Sequence, residues 1–78
     1  MKYVYILESV EGAHFYVGVS EDTEARLLDH NAGKVTHTAK FRPWKLRTFI
    51  GFSDPSRALA FEKYLKSASG RAFSTKRF

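Results

Sequence analysis

The chain carries two short stretches rich in tyrosine and β-branched residues near its start, Tyr3-Val4-Tyr5-Ile6-Leu7 and Phe15-Tyr16-Val17-Gly18-Val19. Aromatic and β-branched residues favour strands, so these stretches predict strands over residues 2–9 and 14–20. The segment from Glu11 to His14 contains a glycine and is typical of a turn. We therefore expect an antiparallel hairpin whose second strand directs Tyr16, Gly18 and Ser20 to one face and Phe15, Val17 and Val19 to the other.

Two helices and a third strand are predicted after the hairpin. Ser20 or Asp22 can cap the first helix, which runs to about Ala32 and is followed by Gly33. A polar, basic loop over 33–43 leads to a strand over 44–52, and Pro55 opens a second helix that breaks at 67–70. Residues 71–78 predict one or two further helical turns. The order is β-β-α-β-α-α, an α/β composition of the α+β type, in one domain spanning 1–78.

Size and composition restrict the class of protein. With 78 residues, of which 44% are hydrophobic and 15% aromatic, the chain is expected to form one small compact domain rather than a disordered segment. It has no cysteine, which excludes a disulfide framework and a thiolate zinc site and is compatible with the cytoplasm. The first apolar run ends at Glu8 and is too short for a signal sequence or a membrane span, so no membrane partner is expected.

The charge of the chain is positive and unevenly distributed. Thirteen Lys and Arg against eight Asp and Glu give a formal net charge of +5, and no acidic residue lies between Asp29 and Asp54. Such a concentration favours a nucleic-acid partner, although a solvated lysine-rich surface would have the same composition. The candidate nucleic-acid-binding residues in that interval are Lys34, Lys40, Arg42, Lys45 and Arg47.

The first predicted helix has two distinct sides. Ala25, Leu28 and Ala32 cluster on one side, which would ordinarily be the buried one. Asp22, Arg26 and His30 are spaced by four residues and share the opposite side. The pattern alone therefore predicts that this polar stripe, including His30, is solvated.

Glu62 interrupts the apolar side of the second long helix. Ala58, Leu59 and Leu65 lie within about one turn of it on the same arc. An ionised carboxylate that is half-buried requires a compensating positive group or hydrogen-bond donors. One explanation is a structural ion pair with an arginine or lysine across the core, and the other is a metal site.

The tyrosines and the polar groups form an ordered set. A strand tyrosine commonly buries its ring and keeps its hydroxyl in water, so Tyr5 and Tyr16 could be ordinary core residues. Taken in order, however, Tyr3-Val4-Tyr5, Tyr16-Val17-Gly18, Arg26, His30 and Glu62 resemble the motifs of the GIY-YIG endonuclease superfamily, in particular its small single-domain bacterial members. Two positions depart from that pattern: Tyr3 replaces a glycine, and Val19 stands where excision-repair members have a phosphate-binding lysine.

The resemblance implies a small three-stranded antiparallel sheet flanked by helices, and a metal-dependent endonuclease. The expected substrate is DNA, in repair or in processing of branched or single-stranded DNA, with RNA left open. Glu62 would hold one divalent ion, Mg²⁺ or Mn²⁺, with water and phosphate oxygens completing its ligands. Arg26 would bind non-bridging phosphate oxygens.

Tyr16 would be the general base, with Tyr5 and His30 orienting it. An ordinary phenol is only about one-thousandth ionised at neutral pH, and a histidine of pKa near 6.5 suits that task better, so His30 is the competing base. The alternative function from another class is a catalytically silent nucleic-acid-binding module with tyrosines as stacking platforms.

Overall fold

A computed structural model describes residues 1–67 and residue 70 of the chain. Its sheet contains strands β1 (Lys2–Ser9), β2 (Phe15–Ser20) and β3 (Trp44–Phe52) in the spatial order β2-β1-β3. Both pairs of neighbouring strands are antiparallel, with Tyr5 opposite Gly18 on one side and Phe49 on the other. This sheet confirms the predicted α+β fold, and β2 begins one residue later than expected.

Over residues 1–67, three helices pack around the sheet: α1 (Thr23–Asn31), α2 (Thr36–Ala39) and α3 (Pro55–Lys66). The Asp22 carboxylate accepts a hydrogen bond from the Ala25 backbone N–H at 3.0 Å and so caps α1. Asp54 caps α3 in the same way through the N–H of Ser56 at 2.9 Å, and Pro55 occupies the first turn. None of the helices in the described part of the chain is long and apolar enough to cross a membrane.

The short helix α2 was not predicted, because residues 33–43 have the composition of a loop. No side chain caps its first residue, so local sequence gives little signal for it. Tertiary hydrogen bonds hold it instead, since the Trp44 indole N–H donates to the Thr38 carbonyl at 2.9 Å. The order over the described residues is therefore β-β-α-α-β-α. The helical turns predicted for 71–78 lie outside these residues.

Strand β1 is buried on both faces of the sheet. Val4 and Ile6 pack with Ala58 and Leu65 of α3, and Val17 and Val19 of β2 join them. On the other face Tyr5 and Leu7 pack with Trp44, together with Tyr16 and Leu27. Because alternate strand residues point to opposite faces, β1 presents one apolar row to α3 and one tyrosine-bearing row to α1. The predicted orientation of Tyr16 away from Val17 and Val19 is confirmed.

Helix α1 presents to the sheet the side that was predicted to be solvated. His30 is fully buried, whereas Leu28 is 71% exposed. The prediction that the polar stripe faces water is therefore wrong for His30, whereas Asp22 is exposed and Arg26 is about one-third exposed. The reason is that the surface beneath α1 offers hydrogen-bonding partners, the hydroxyls of Tyr5 and Thr38, which satisfy an imidazole but not a leucine.

Asn31 joins the end of α1 to the start of β3. Its side-chain amide donates to the Trp44 carbonyl at 3.0 Å, and its carbonyl oxygen accepts the Trp44 backbone N–H at 2.6 Å. Both bonds take the place of backbone hydrogen bonds to a neighbouring strand at the start of β3. They set the position of α1, and of His30 one residue earlier, relative to the sheet.

Candidate active site

Tyr5 and His30 meet in the interior between β1 and α1. The Tyr5 hydroxyl lies 3.0 Å from His30 Nε2, and His30 Nδ1 lies 2.7 Å from the hydroxyl of Thr38. All three side chains are almost completely removed from solvent. No buried side-chain polar atom in the described residues lacks a hydrogen-bond partner. The imidazole is thus held at both nitrogens.

The direction of these hydrogen bonds follows from the chemistry of the partners. The Thr38 hydroxyl also lies 3.3 Å from the Val35 carbonyl oxygen, which can only accept. Thr38 therefore donates to Val35 and accepts from His30 Nδ1–H. This leaves Nε2 as the acceptor of the Tyr5 O–H, and the assignment of the tautomer rests on these partners.

Burial keeps both members of the pair neutral near pH 7. Burial lowers the pKa of His30 below its ordinary value, and the nearby positive charge of Arg26 lowers it further, while Asp29 opposes the shift. Burial likewise raises the pKa of Tyr5, although hydrogen bonding to Arg26 acts in the opposite direction. A neutral phenol donating to a neutral imidazole is the arrangement that both shifts favour.

Arg26 lies one turn before His30 on α1, at the edge of this pair. The interaction of its guanidinium with the Tyr5 hydroxyl raises the pKa of Arg26 and lowers that of Tyr5. Its Nη1 also lies 3.2 Å from Asp29 Oδ2. The side chain is about one-third exposed, so the guanidinium is accessible to an anion from solvent.

Tyr16 lies beside the Tyr5–His30 pair. The centre of its ring is 4.8 Å from that of His30 and 6.3 Å from that of Tyr5. It is half-buried and lines a groove of about 540 Å³ with His14, Phe15 and Lys66. Tyr16 therefore has access to solvent that His30 lacks.

Gly18 makes room for Tyr5 in the neighbouring strand. The two residues are directly opposite each other, and a Cβ at position 18 would collide with the Tyr5 hydroxyl and its ring. The glycine inside β2 thus permits the close approach of a tyrosine to the backbone, which is the usual reason for a glycine within a strand.

Glu62 approaches the site from α3. Its side chain is 18% exposed, and its Oε2 lies 3.1 Å from the ammonium nitrogen of Lys66. Within the described residues, the positive partner is therefore on the same helix, four residues along, and not across the core. Of its expected apolar neighbours, Ala58 and Leu65 are buried, but Leu59 is about half exposed. The negative charge of Glu62 is close enough to contribute to the raised pKa of Tyr5.

The donor set around Glu62 fits one kind of metal site. The part of the chain that the structure describes contains no cluster of three or more His, Cys, Asp and Glu that could enclose an ion. A single carboxylate suits Mg²⁺ or Mn²⁺, because Mg²⁺ commonly keeps several waters and takes one or two carboxylates together with substrate phosphates. Glu62 could hold such an ion with water and phosphate oxygens as the other ligands.

The basic residues are less isolated in space than in sequence. The ammonium of Lys34 lies 3.8 Å from Asp29, and that of Lys45 lies 3.9 Å from Glu8. The ammonium of Lys40 lies 5.8 Å from the centre of the Phe41 ring, and Lys40 and Arg42 are both exposed and line one pocket. Arg47 is half-buried, with its guanidinium 5.0 Å from the centre of the exposed Phe15 ring.

Two residues of the site were not identified from the sequence. Thr38 gives no local signal, because its role depends on α2 folding back against His30. Lys66 could have been found, since it follows Glu62 by four residues and opposite charges at that spacing pair on a helix.

Comparison with known proteins gives consistent matches over nearly the whole chain. The protein-family model of the GIY-YIG catalytic domain matches residues 1–77 of the sequence. A UPF0213 protein of Lacticaseibacillus paracasei is 38% identical over 65 residues, covering 82% of this chain and 72% of that protein. A UPF0213 protein of Halobacterium salinarum is 33% identical over 70 residues, covering 88% of this chain and 90% of the relative.

A solved structure shares the fold. The solution NMR structure of the UPF0213 protein BH0048 from Bacillus halodurans has 31% sequence identity and a TM-score of 0.57. The match covers 96% of this chain and 81% of that one.

Proposed function

Since this chain belongs to the GIY-YIG catalytic-domain family, a family of nucleases of the hydrolase class, we propose that it is a metal-dependent endonuclease hydrolysing phosphodiester bonds in DNA. We propose further that residues 1–78 form one nuclease domain. The observation that carries the proposal is the convergence of Tyr5, Tyr16 and His30, with Arg26 at their edge. Two strands and a helix supply these side chains, so only the folded chain assembles them.

Phosphodiester hydrolysis requires an activated water and neutralisation of the charge that develops on the phosphate. Arg26 is the group for the second task, because its guanidinium is partly exposed and suits bidentate binding of phosphate oxygens. A divalent ion held through Glu62, Mg²⁺ or Mn²⁺, would supply Lewis-acid chemistry. The remaining task, removal of a proton from water, falls to Tyr16 or His30.

The hydrogen bonds of His30 support Tyr16 as the base. Both imidazole nitrogens are engaged, Nε2 by Tyr5 and Nδ1 by Thr38, and the ring is fully buried. An imidazole in that position has no direct path to an attacking water. Tyr16 lies on the groove, and its ring is flanked by the His30 ring. In this assignment Tyr5 and His30 are positioning residues that fix the geometry around Tyr16.

The basic residues would guide the nucleic acid towards the groove. Lys40 and Arg42 are the strongest candidates, because both are exposed and neither is engaged by a carboxylate within the described residues. Lys34 and Lys45 retain exposed ammonium groups, and their long ion pairs are weak ones. Arg47 is the fifth candidate nucleic-acid-binding residue.

We propose branched or single-stranded DNA as substrate, repair or processing as the role, and the cytoplasm as the location.

The alternative function is a nucleic-acid-binding module without catalysis. The exposed Phe15 ring with the Arg47 guanidinium 5.0 Å from its centre is the observation that favours it, since such a pair can stack on a base. In a nuclease Glu62 and Tyr16 are needed for cleavage, whereas in a module without catalysis they can contribute only to binding.

Cleavage of labelled flaps, junctions, single strands and duplexes, with and without Mg²⁺, tests the proposal. We expect metal-dependent cleavage that Glu62→Gln abolishes while DNA binding and thermal stability are largely kept, because the substitution removes the charge but keeps the shape. Glu24→Gln, on the exposed side of α1, is the matched control. Wild-type binding without cleavage would establish the silent module, and RNA versions of the same substrates decide between the nucleic acids.

A further inference from the structure

Lys66 connects the candidate metal ligand to the candidate base. Its ammonium lies 3.1 Å from Glu62 Oε2 and 5.8 Å from the centre of the Tyr16 ring. The side chain is 48% exposed and lines the groove next to Tyr16. The spacing of four residues on α3 holds the ammonium near the carboxylate, because residues i and i+4 are neighbours on a helix.

A lysine ammonium and a divalent cation require the same oxygen atoms of Glu62. The described residues provide no further acidic group or histidine that would complete a protein-enclosed metal site there. A cation bound through one carboxylate is held weakly, so a resident unit charge at that carboxylate has a measurable effect on its affinity.

We propose that the Lys66 ammonium competes with the divalent cation for Glu62, and that a phosphate of the nucleic acid relieves this competition by attracting the ammonium into the groove. The cation and the substrate would then bind cooperatively, and Lys66 is the positioning residue that couples them. This inference rests on the proposed function through the role of Glu62 as metal ligand.

The chain offers a well-matched set of variants. Lys66→Gln removes the charge, and Lys66→Arg keeps it. Lys63→Gln removes an exposed charge of the same helix that lies about 100° around the axis from Glu62. Thermal unfolding of each variant verifies that it is folded, which we expect because a partly exposed pair on one helix contributes little to stability.

Binding of Mn²⁺ without nucleic acid is the first measurement, read from the broadening of backbone amide NMR signals around Glu62. We expect Lys66→Gln to lower the Mn²⁺ Kd by about thirtyfold, the effect of removing one unit charge about 4 Å from a divalent ion in water. Lys66→Arg and Lys63→Gln should stay within about twofold of the wild type.

The outcomes separate this inference from the proposed function. If Glu62→Gln abolishes the broadening but Lys66→Gln leaves the Kd unchanged, Glu62 binds the cation and competition by Lys66 is refuted. If Glu62→Gln has no effect on the broadening, the metal role of Glu62 fails and the inference fails with it.

The coupling is measured with oligothymidylate bound to the Tyr16→Phe protein. We expect the oligonucleotide to tighten Mn²⁺ binding, and to do so about thirtyfold less when Lys66→Gln is also present, since the competing charge is already gone. Equal tightening in the two proteins would overturn the coupling.

Discussion

The Tyr5 hydroxyl donates a hydrogen bond to Nε2 of His30 at 3.0 Å, joining the central strand to helix α1 inside the protein. This pair explains why α1 turns a histidine inward and leaves Leu28 exposed. It also places two titratable groups where burial fixes their protonation state. A polar contact therefore defines the geometry at the centre of the candidate active site.

We expect the stability of the protein to decrease below about pH 6.5 because of His30. Burial lowers the pKa of His30 in the folded state. As the pH is lowered, the unfolded chain therefore binds the proton before the folded chain does, and the free energy of unfolding decreases between the unfolded and the folded pKa. Above the unfolded pKa the contribution is constant. Denaturant unfolding from about pH 8 to about pH 5 measures this slope. His30→Asn should flatten it and His37→Gln should not; an unchanged slope in His30→Asn would contradict the assignment.

Thr38→Val should destabilise the protein by about 1–3 kcal/mol. The variant keeps the shape of the side chain but leaves the buried His30 Nδ1–H without an acceptor. Thr38→Ser, which retains the hydroxyl, should lose less. Unfolding free energies give the magnitude, and the imidazole nitrogen NMR shifts report whether the single tautomer disappears in Thr38→Val. Equal stability of the valine and serine variants would show that the hydroxyl is not needed.

Tyr16→Phe should lower the single-turnover cleavage rate roughly 10²- to 10⁴-fold with little effect on binding, the range for loss of a general base. Tyr5→Phe should reduce the rate less, since Tyr5 acts through His30 and through its packing. The pH–rate profile distinguishes the two candidate bases. A nearly active Tyr16→Phe, together with an acidic limb that disappears in His30→Ala, would assign the base to His30 and make Tyr16 a positioning residue.

Binding to DNA should weaken steeply with salt, and Lys40 and Arg42 should contribute to that dependence. Replacing both by alanine should reduce the slope of log affinity against log salt by about 0.7–0.9 for each phosphate that is no longer neutralised. Lys34 and Lys45, already close to carboxylates, form the comparison pair and should change the slope less. An unaltered slope in the Lys40 and Arg42 variant would place the binding surface elsewhere, for example at Arg71, Lys76 and Arg77, which lie outside the described residues.

Much of the framework was predictable because its signals are local. The bounds of β3 and α3 follow from β-branched and aromatic content, from the Asp54 cap and from Pro55 at the first helical turn. The order of Tyr5, Tyr16, Arg26, His30 and Glu62 was sufficient to suggest the family, which the domain match confirms. The bounds of the strand and the helix depend on residues close together in the chain, and the order of the motif residues can be read from the sequence without knowing their contacts.

The environment of the site residues was not predictable in the same way. Sequence periodicity assigned His30 to the solvated side of α1, and an apolar arc suggested a partner for Glu62 across the core. The fold reversed the first assignment and gave Glu62 a partner on its own helix, Lys66. Lys34 and Lys45, in an interval without acidic residues, lie close to Asp29 and Glu8.

The sequence by itself therefore determined the strands and the long helices, because backbone hydrogen bonding, capping and periodicity act over a few residues, and its resemblance to the GIY-YIG family suggested the candidate catalytic residues. Only the tertiary structure decided which side of α1 is buried and which groups share a proton or a charge. Those outcomes depend on the chemistry of the surface that α1 packs against. Tyr5 and Thr38 give a buried imidazole two hydrogen-bond partners, whereas a leucine in its place would make no hydrogen bond to either hydroxyl.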